Sequence, residues 1–357
     1  MINRGMASKR ITYIDTLKGI CIILVVFMHC ELPDGDNELA THIGNALRTY
    51  RMPTYYFLSG IFFKLYGGLN DFTRHKVNNI IIPLLFFNLL SFVGCALFAF
   101  VESWKNSVPF QFEWTYVFDI LYRNDIHLKP VMPLWFLLSL FWSNIIFYVL
   151  KKWLNDIWVA ISVLCLAIVG YLLDSHHIEL PWFMVSSLTG LPYFVLGHYV
   201  KQFGWLEGHN ISRWMGTVQF FVFAFVAFLL ARDYTDPDSI SNVGQFLFYR
   251  YVIPFTSVLS LFLLCKSWPR RVPVVTMLGR YSIIVLGTHM FLITYLNVIP
   301  IKIFGTANIT LIRYALFLMV IVLELAIVPL LRNVFPRFTA QQEFFKQGWK
   351  LAWTHKN

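Results

Sequence analysis

Charge is scarce in this chain. Of 357 residues, 13% are Asp, Glu, Lys or Arg, against 57% hydrophobic, and the mean hydropathy is +0.61. A water-soluble domain of this size needs more charge and fewer apolar residues, so that class is excluded. Cysteine is also sparse: Cys21, Cys30, Cys95, Cys165 and Cys265 fall in or at the ends of apolar runs, and none forms a CxxC pair. A disulfide framework is therefore not expected, and the thiols read as free and buried. Metal-ligand spacing is lacking too. Only His176 and His177 are adjacent among ten histidines, and no HExxH occurs, so no metal site is expected. There is no internal repeat, no low-complexity tract and, upstream of Ile11, no small-residue cleavage site, so the first apolar run is expected to stay as a mature helix.

What is present is a series of long apolar runs, at 11–30, 47–65, 80–101, 133–150, 157–173, 182–200, 214–231, 249–265, 281–296 and 311–331. Each is long enough to cross a bilayer as a helix of ~20 residues, or nearly so. The fold class expected is an all-α integral membrane protein of about ten transmembrane helices. Its domains are a membrane unit over 1–331 and a tail over 332–357. Charge sets the orientation: the connections at 1–18, 64–79, 151–156, 201–213, 266–280 and 332–357 hold 20 Lys and Arg against 5 Asp and Glu, and the alternate set holds 9 against 13. Basic connections stay inside, which places both termini in the cytoplasm. The net charge of +10 then lies against anionic membrane lipid, and nucleic acid is not implied. In the tail, Phe345, Trp349 and Trp353 recur every four residues beside Lys346 and Lys350, the pattern of an amphipathic helix on the inner leaflet.

Against this background the intramembrane ionisable groups stand out, because each is costly to hold in hydrocarbon. The first run, ITYIDTLKGICIILVVFMHC, carries Asp15, Lys18 and His29. At ~100° per residue all three fall on one stripe, with Lys18 and His29 ~16 Å apart along the axis. A neutral histidine is the usual base for drawing a proton from a hydroxyl, which makes His29 the leading catalytic candidate. For Lys18 and Asp15 a catalytic part stands beside a plainer one, a snorkelling lysine with an i,i+3 ion pair. The second run, NALRTYRMPTYYFLSGIFFK, places Arg48 and Arg51 at its outer end and Pro53 two residues later, where freed backbone groups suit a cavity. Its Ser59-Gly60 pair allows a neighbouring helix to approach closely. Arg74 and Lys76, with His75 between, are suited to phosphate oxygens, although positive-inside topology alone yields such a cluster. Trp135 opens the fourth run as an interface anchor or a pocket wall. His289 lies inside the ninth run, Glu324 inside the tenth, and the long aromatic connection from Glu102 to Pro133 suits a partial lid.

The stretch YIDTLKGICIILVVFMH resembles the first helix of the bacterial membrane acyltransferase-3 family, where a basic residue, ten intervening residues and a histidine recur: here Lys18, Gly19 to Met28, and His29. It resembles in particular the fucose 4-O-acetylase-like branch, as does RMPTYYFLSG. Weaker likenesses lie at Arg74 to Pro83, PLWFLLSLF and LGRYSIIVLGTHMFLI. Three positions depart from the common pattern: Arg51 stands where histidine often precedes Met-Pro, Lys18 where many members have arginine, and Asn78-Asn79 where many have further basic residues. The extracytoplasmic hydrolase-like domain that some members append is not expected here.

The resemblance implies an O-acyltransferase of the bacterial plasma (inner) membrane. It would move an acyl group, acetyl from cytoplasmic acetyl-CoA, to a sugar hydroxyl of a surface glycan or lipid-linked precursor, without a metal. On that reading His29 is catalytic, with Lys18 and Asp15 ordering the cytoplasmic half of the channel. Arg74 and Lys76 meet the cofactor's phosphates, and Arg51 and Trp135 contact the acceptor, with Ser59 and His289 also assigned to substrate. The competing class is a glycan or small-molecule transporter without acyl transfer, since charged stripes also mark permeation routes. The lack of repeated halves or paired broken helices speaks against it.

Overall fold

A computed structural model describes residues 11–30, 38–65, 67–107, 109–110, 133–207, 211–230, 242–305 and 309–345, with residues 38–41 described by backbone alone. The helices among them are α1 (Thr12–His29), α2 (Glu38–Arg48), α3 (Arg51–Ile61), α4 (Leu69–Lys76), α5 (Ile82–Asn106), α6 (Trp135–Trp153), α7 (Asp156–Ser175) and α8 (Met184–Gln202). They continue with α9 (Arg213–Leu230), α10 (Val243–Leu247), α11 (Ile253–Ser267), α12 (Pro273–Arg280), α13 (Ser282–Leu296), α14 (Val298–Phe304) and α15 (Ile309–Val334). Among the described residues there is no β-strand. Seven helical stretches are long and apolar enough to cross a membrane: Thr12–His29, Leu69–Asn106, Asp156–Ser175, Arg213–Leu230, Val243–Ser267, Ser282–Phe304 and Ile309–Val334. The chain is an all-α membrane protein. Apolar side chains such as Leu97 and Phe100 on α5 and Phe221 and Phe225 on α9 point outward, as hydrocarbon surroundings allow.

The centre is built on two close helix crossings. Where α3 meets α8, a Cβ on Gly60 would run into the carbonyl of Phe194, and one on Gly197 into the carbonyl of Phe57. Where α1 meets α12, Gly19 stands against the backbone of Val275 and Gly279 against that of Asp15. Without a hydrophobic driving force between helices in lipid, such backbone-to-backbone approach is what packing can offer. The expected role of Gly60 is met. α6 brings polar groups inside and meets their donors locally: Ser143 Oγ donates to the Ser139 carbonyl at 3.0 Å, and Asn144 Nδ2 to the Leu140 carbonyl at 2.8 Å.

Two helices contain a π-turn, Val77–Ile81 before α5 and Phe248–Val252 before α11. Each is followed by a proline two residues on, Pro83 and Pro254. A proline has no N–H for the carbonyl four residues back and its ring crowds that carbonyl, here Asn79 and Arg250, so a wider turn relieves the clash. The Tyr193 hydroxyl donates to the Arg250 carbonyl that Pro254 cannot serve.

Several sequence expectations are altered. The run 47–65 is not one helix: α2 ends at Arg48, the chain turns at Thr49-Tyr50, α3 covers eleven residues, and the backbone from Phe63 to Leu65 is non-helical. Pro53 falls in the first turn of α3, where its missing N–H leaves no gap in the helix, so it frees no backbone group there. Cys165 is exposed on α7 and Cys95 half-buried, so not every thiol is enclosed; all five are free. α5 runs on to Asn106, past the start expected for the outer connection, and residues 111–132 of that connection lie outside the described residues. The last helix extends to Val334, and Phe345 sits in non-helical chain, its backbone N–H and carbonyl paired with the Asn78 side chain at 3.0 and 3.1 Å. Trp349 and Trp353 lie outside the described residues.

Candidate active site

His29 closes the C-terminal turn of α1, and its Nδ1 lies 2.8 Å from the carbonyl of Val25, one turn back. A carbonyl only accepts, so Nδ1 carries the proton and Nε2 keeps its lone pair in the neutral ring. On α13 the same arrangement recurs, with His289 Nδ1 at 2.7 Å from the carbonyl of Val285. The two rings meet across the helix interface with centroids 5.2 Å apart. His289 is fully buried, and its Nε2 has no hydrogen-bond partner among the described residues. Beside it, Thr288 Oγ1 lies 2.7 Å from Glu324 Oε1 and 2.8 Å from the Ile284 carbonyl, which ties α15 to the histidine pair. Arg313, one turn into α15, places its guanidinium 4.4 Å from the centre of the Phe27 ring.

Two cavities flank this centre. One, of about 430 Å³, is lined by Arg48, Arg51, Tyr56, Trp135, Asp174 and Arg250 among others. The second, of about 240 Å³ and mostly apolar, is lined by Lys18, Val25, Tyr55, Ser59 and Leu286 among others. Met52 lines both. Along α3 the larger cavity is lined from Arg51 to Tyr56 and the smaller from Met52 to Phe62, just past the helix end, where Lys18 places its ammonium over the Phe62 ring. His29 lines neither cavity. Val25, whose carbonyl holds its ring, borders the smaller one, and Arg51, close enough to interact with it electrostatically, borders the larger.

The structure therefore joins His29 with His289, Arg51 with Trp135, and Lys18 with Ser59, whose hydroxyl accepts a bond of 3.3 Å from Asn144 Nδ2. It does not bring Asp15 to the histidine: Asp15 is buried where α1 crosses α12 and lines neither cavity. Arg74, exposed on α4, and Lys76, half-buried with its ammonium 5.2 Å from the Phe72 ring centre, also lie apart from both cavities. Trp135 is a pocket wall. Arg250 was not singled out from sequence, nor was Tyr193, which lines the same cavity; the signal available was Pro254, in a run that otherwise reads as an unbroken apolar helix. Among the described residues no three His, Cys, Asp or Glu side chains gather as a metal site would require.

No curated protein and no solved structure matches this chain. A family model of the acyltransferase domain matches residues 11–330, from the start of α1 to the last turns of α15, and so takes in the histidine pair, both cavities and every residue named at them. With that match covering nine-tenths of the sequence, the chain belongs to the membrane acyltransferase family 3.

Proposed function

We propose that this acyltransferase of the bacterial inner membrane takes an acetyl group from acetyl-CoA at the cytoplasmic face. It places the group on a sugar hydroxyl of a surface glycan or its lipid-linked precursor, in the manner of the fucose 4-O-acetylase-like branch that α1 and α3 resemble. One observation carries the reading. The Val25 carbonyl locks the His29 ring so that Nε2 is its basic atom, and Val25 lines one of two cavities that share Met52 while Arg51, which interacts electrostatically with the ring, lines the other.

In this mechanism the acceptor hydroxyl gives its proton to His29 Nε2 as its oxygen attacks the thioester carbonyl. A C–O bond forms, the C–S bond breaks, and the proton passes on to the departing CoA thiolate. His289 shares the buried wall behind His29 and holds it from the side. The apolar cavity beside Lys18 and Ser59 takes the thiol end of the donor, Lys18 and Asp15 order the approach to it, and Arg74 and Lys76 meet its phosphates at the cytoplasmic surface. The acceptor enters from the Arg51 and Trp135 side.

A positioned base contributes a factor of ~10² to 10⁴ in rate. His29→Ala is expected to abolish transfer of labelled acetyl from acetyl-CoA in purified protein, with an unchanged elution profile and helical content. His29→Gln, which keeps the size of the ring, is expected to lower kcat by at least about a hundredfold. Retention of full activity in either variant defeats the assignment.

A further inference from the structure

Among the described residues, Met52 is the one that both cavities have in their linings. Elsewhere successive residues part company: on α3, Tyr55 lines the smaller cavity and Tyr56 the larger, and on α6, Trp135 lines the larger and Phe136 the smaller. Most of this boundary is fixed. The Tyr55 hydroxyl donates to the Lys18 carbonyl at 3.0 Å, which ties its ring to α1. The Tyr56 hydroxyl is bonded to Ser139 Oγ and reaches the Ser186 carbonyl at 3.3 Å, and its ring leaves no room for a Cβ on Gly190 of α8. Phe136 is buried, with its centroid 6.0 Å from that of Tyr55 and 5.1 Å from that of Tyr56. Met52 has no comparable tie. It is half-buried in the first turn of α3, its thioether is at most a weak acceptor, and its unbranched stem has rotatable bonds throughout. It also stands next in the chain to Arg51, the arginine that interacts electrostatically with His29.

We infer that Met52 determines which acyl group the enzyme transfers: it is the movable section of the boundary between the two cavities, and the acyl group is handed over beside it. This rests on the proposed transfer from a donor in one cavity to an acceptor in the other, and adds to it the determinant of acyl size. The step itself is unchanged. The acyl carbon breaks its bond to the donor sulfur and forms one to the acceptor oxygen, while the hydroxyl proton passes through His29 to the thiolate. Whichever cavity holds the donor, the acyl tail has to be accommodated where the two linings meet. Shortening the Met52 side chain makes room there, and a bulkier one takes it away. In an apolar pocket a single methylene changes discrimination between substrates by ~10- to 200-fold. The arm removed in Met52→Ala is longer than the two methylenes by which butyryl exceeds acetyl.

The test uses the full chain in phosphatidylcholine nanodiscs with acetyl-, propionyl- and butyryl-CoA in turn, and reads release of the CoA thiol with methyl fucoside as acceptor and with water alone. Wild-type protein is expected to use acetyl-CoA at least about tenfold better than butyryl-CoA in kcat/KM. Met52→Ala is expected to raise the butyryl-to-acetyl ratio about tenfold or more, and Met52→Phe to lower the propionyl-to-acetyl ratio. Loss of stability alone slows all three thioesters alike and leaves the ratios where they were, so a changed ratio reports size. If Met52→Ala does not fold, Met52→Val, a smaller cut, is read in the same way. An unchanged butyryl-to-acetyl ratio on truncation, a gain of butyryl transfer in Met52→Phe, or a wild type indifferent to acyl length overturns the inference and leaves the proposed function standing. Wild-type protein that releases CoA from none of the three thioesters, with or without the sugar, defeats the proposed function and the inference with it.

Discussion

Thr288 has a single hydroxyl proton and two buried acceptors within 2.8 Å of it, the carboxylate oxygen of Glu324 and the carbonyl of Ile284. Glu324 is fully enclosed, and its second oxygen has no partner among the described residues. Removing the hydroxyl would leave the first oxygen in the same condition, and an unsatisfied buried acceptor costs ~1–3 kcal/mol. Thr288→Val, which keeps the shape, is therefore expected to lower the unfolding midpoint in detergent. Glu324→Gln still offers an oxygen to Thr288 and is expected to lower it less. Should Thr288→Val unfold at the wild-type temperature, the contact does not hold α13 to α15. At this scale sequence was informative about candidates and silent about pairs. His29, His289 and Glu324 could each be picked out because an ionisable group inside a membrane helix is costly. That His29 and His289, 260 positions apart, face each other depends on how two helices are rotated, and hydropathy along either one carries no trace of that.

The elements were more legible than their joints. Each apolar run overlaps a helix because twenty apolar residues in lipid have few other ways to satisfy their backbone. Joints follow subtler chemistry: the break at Thr49-Tyr50 lies between two helical runs with no strong breaker at the turn itself, since Pro53 falls inside the next helix. The π-turns before Pro83 and Pro254 had a signal, a proline in the middle of a long apolar stretch, but proline alone does not say whether a helix kinks, ends or widens. Ser59-Gly60 was the clearest joint, and its neighbour proves to be α8, where Gly60 meets the Phe194 carbonyl and Gly197 in turn the Phe57 carbonyl. Because backbone rather than a pliable side chain stands in the way at both glycines, Gly60→Ala or Gly197→Ala must push α3 and α8 apart. Overpacking of this kind costs ~1–3 kcal/mol. Both variants are expected to give less folded protein and a lower unfolding midpoint than Gly68→Ala, where a new methyl meets nothing within 4 Å. Equal behaviour of all three would mean that the crossing tolerates a wider separation.

For the molecule as a whole, the question is which cavity faces the cytosol. The larger is lined along α3 from Arg51 to Tyr56 and the smaller from Met52 to Phe62, so the two meet at Met52 and extend along that helix by different amounts. The direction rests on charge: the connection carrying Arg74 and Lys76 belongs to the basic set, and the last turn of α7 with the loop after it, which carry Asp174 and Glu179, to the acidic one. Single cysteines at two exposed positions outside the site, Asn70 at the start of α4 and Ser175 at the end of α7, decide it when placed in a chain whose own five cysteines are replaced. With a membrane-impermeant maleimide on intact cells, Ser175→Cys is expected to react at once and Asn70→Cys only after the membrane is opened. The reverse order would place the arginine-lined cavity in the cytosol. A phosphorylated cytosolic donor would then be the natural occupant of Arg48, Arg51 and Arg250, and the roles assigned to the two cavities would have to be exchanged.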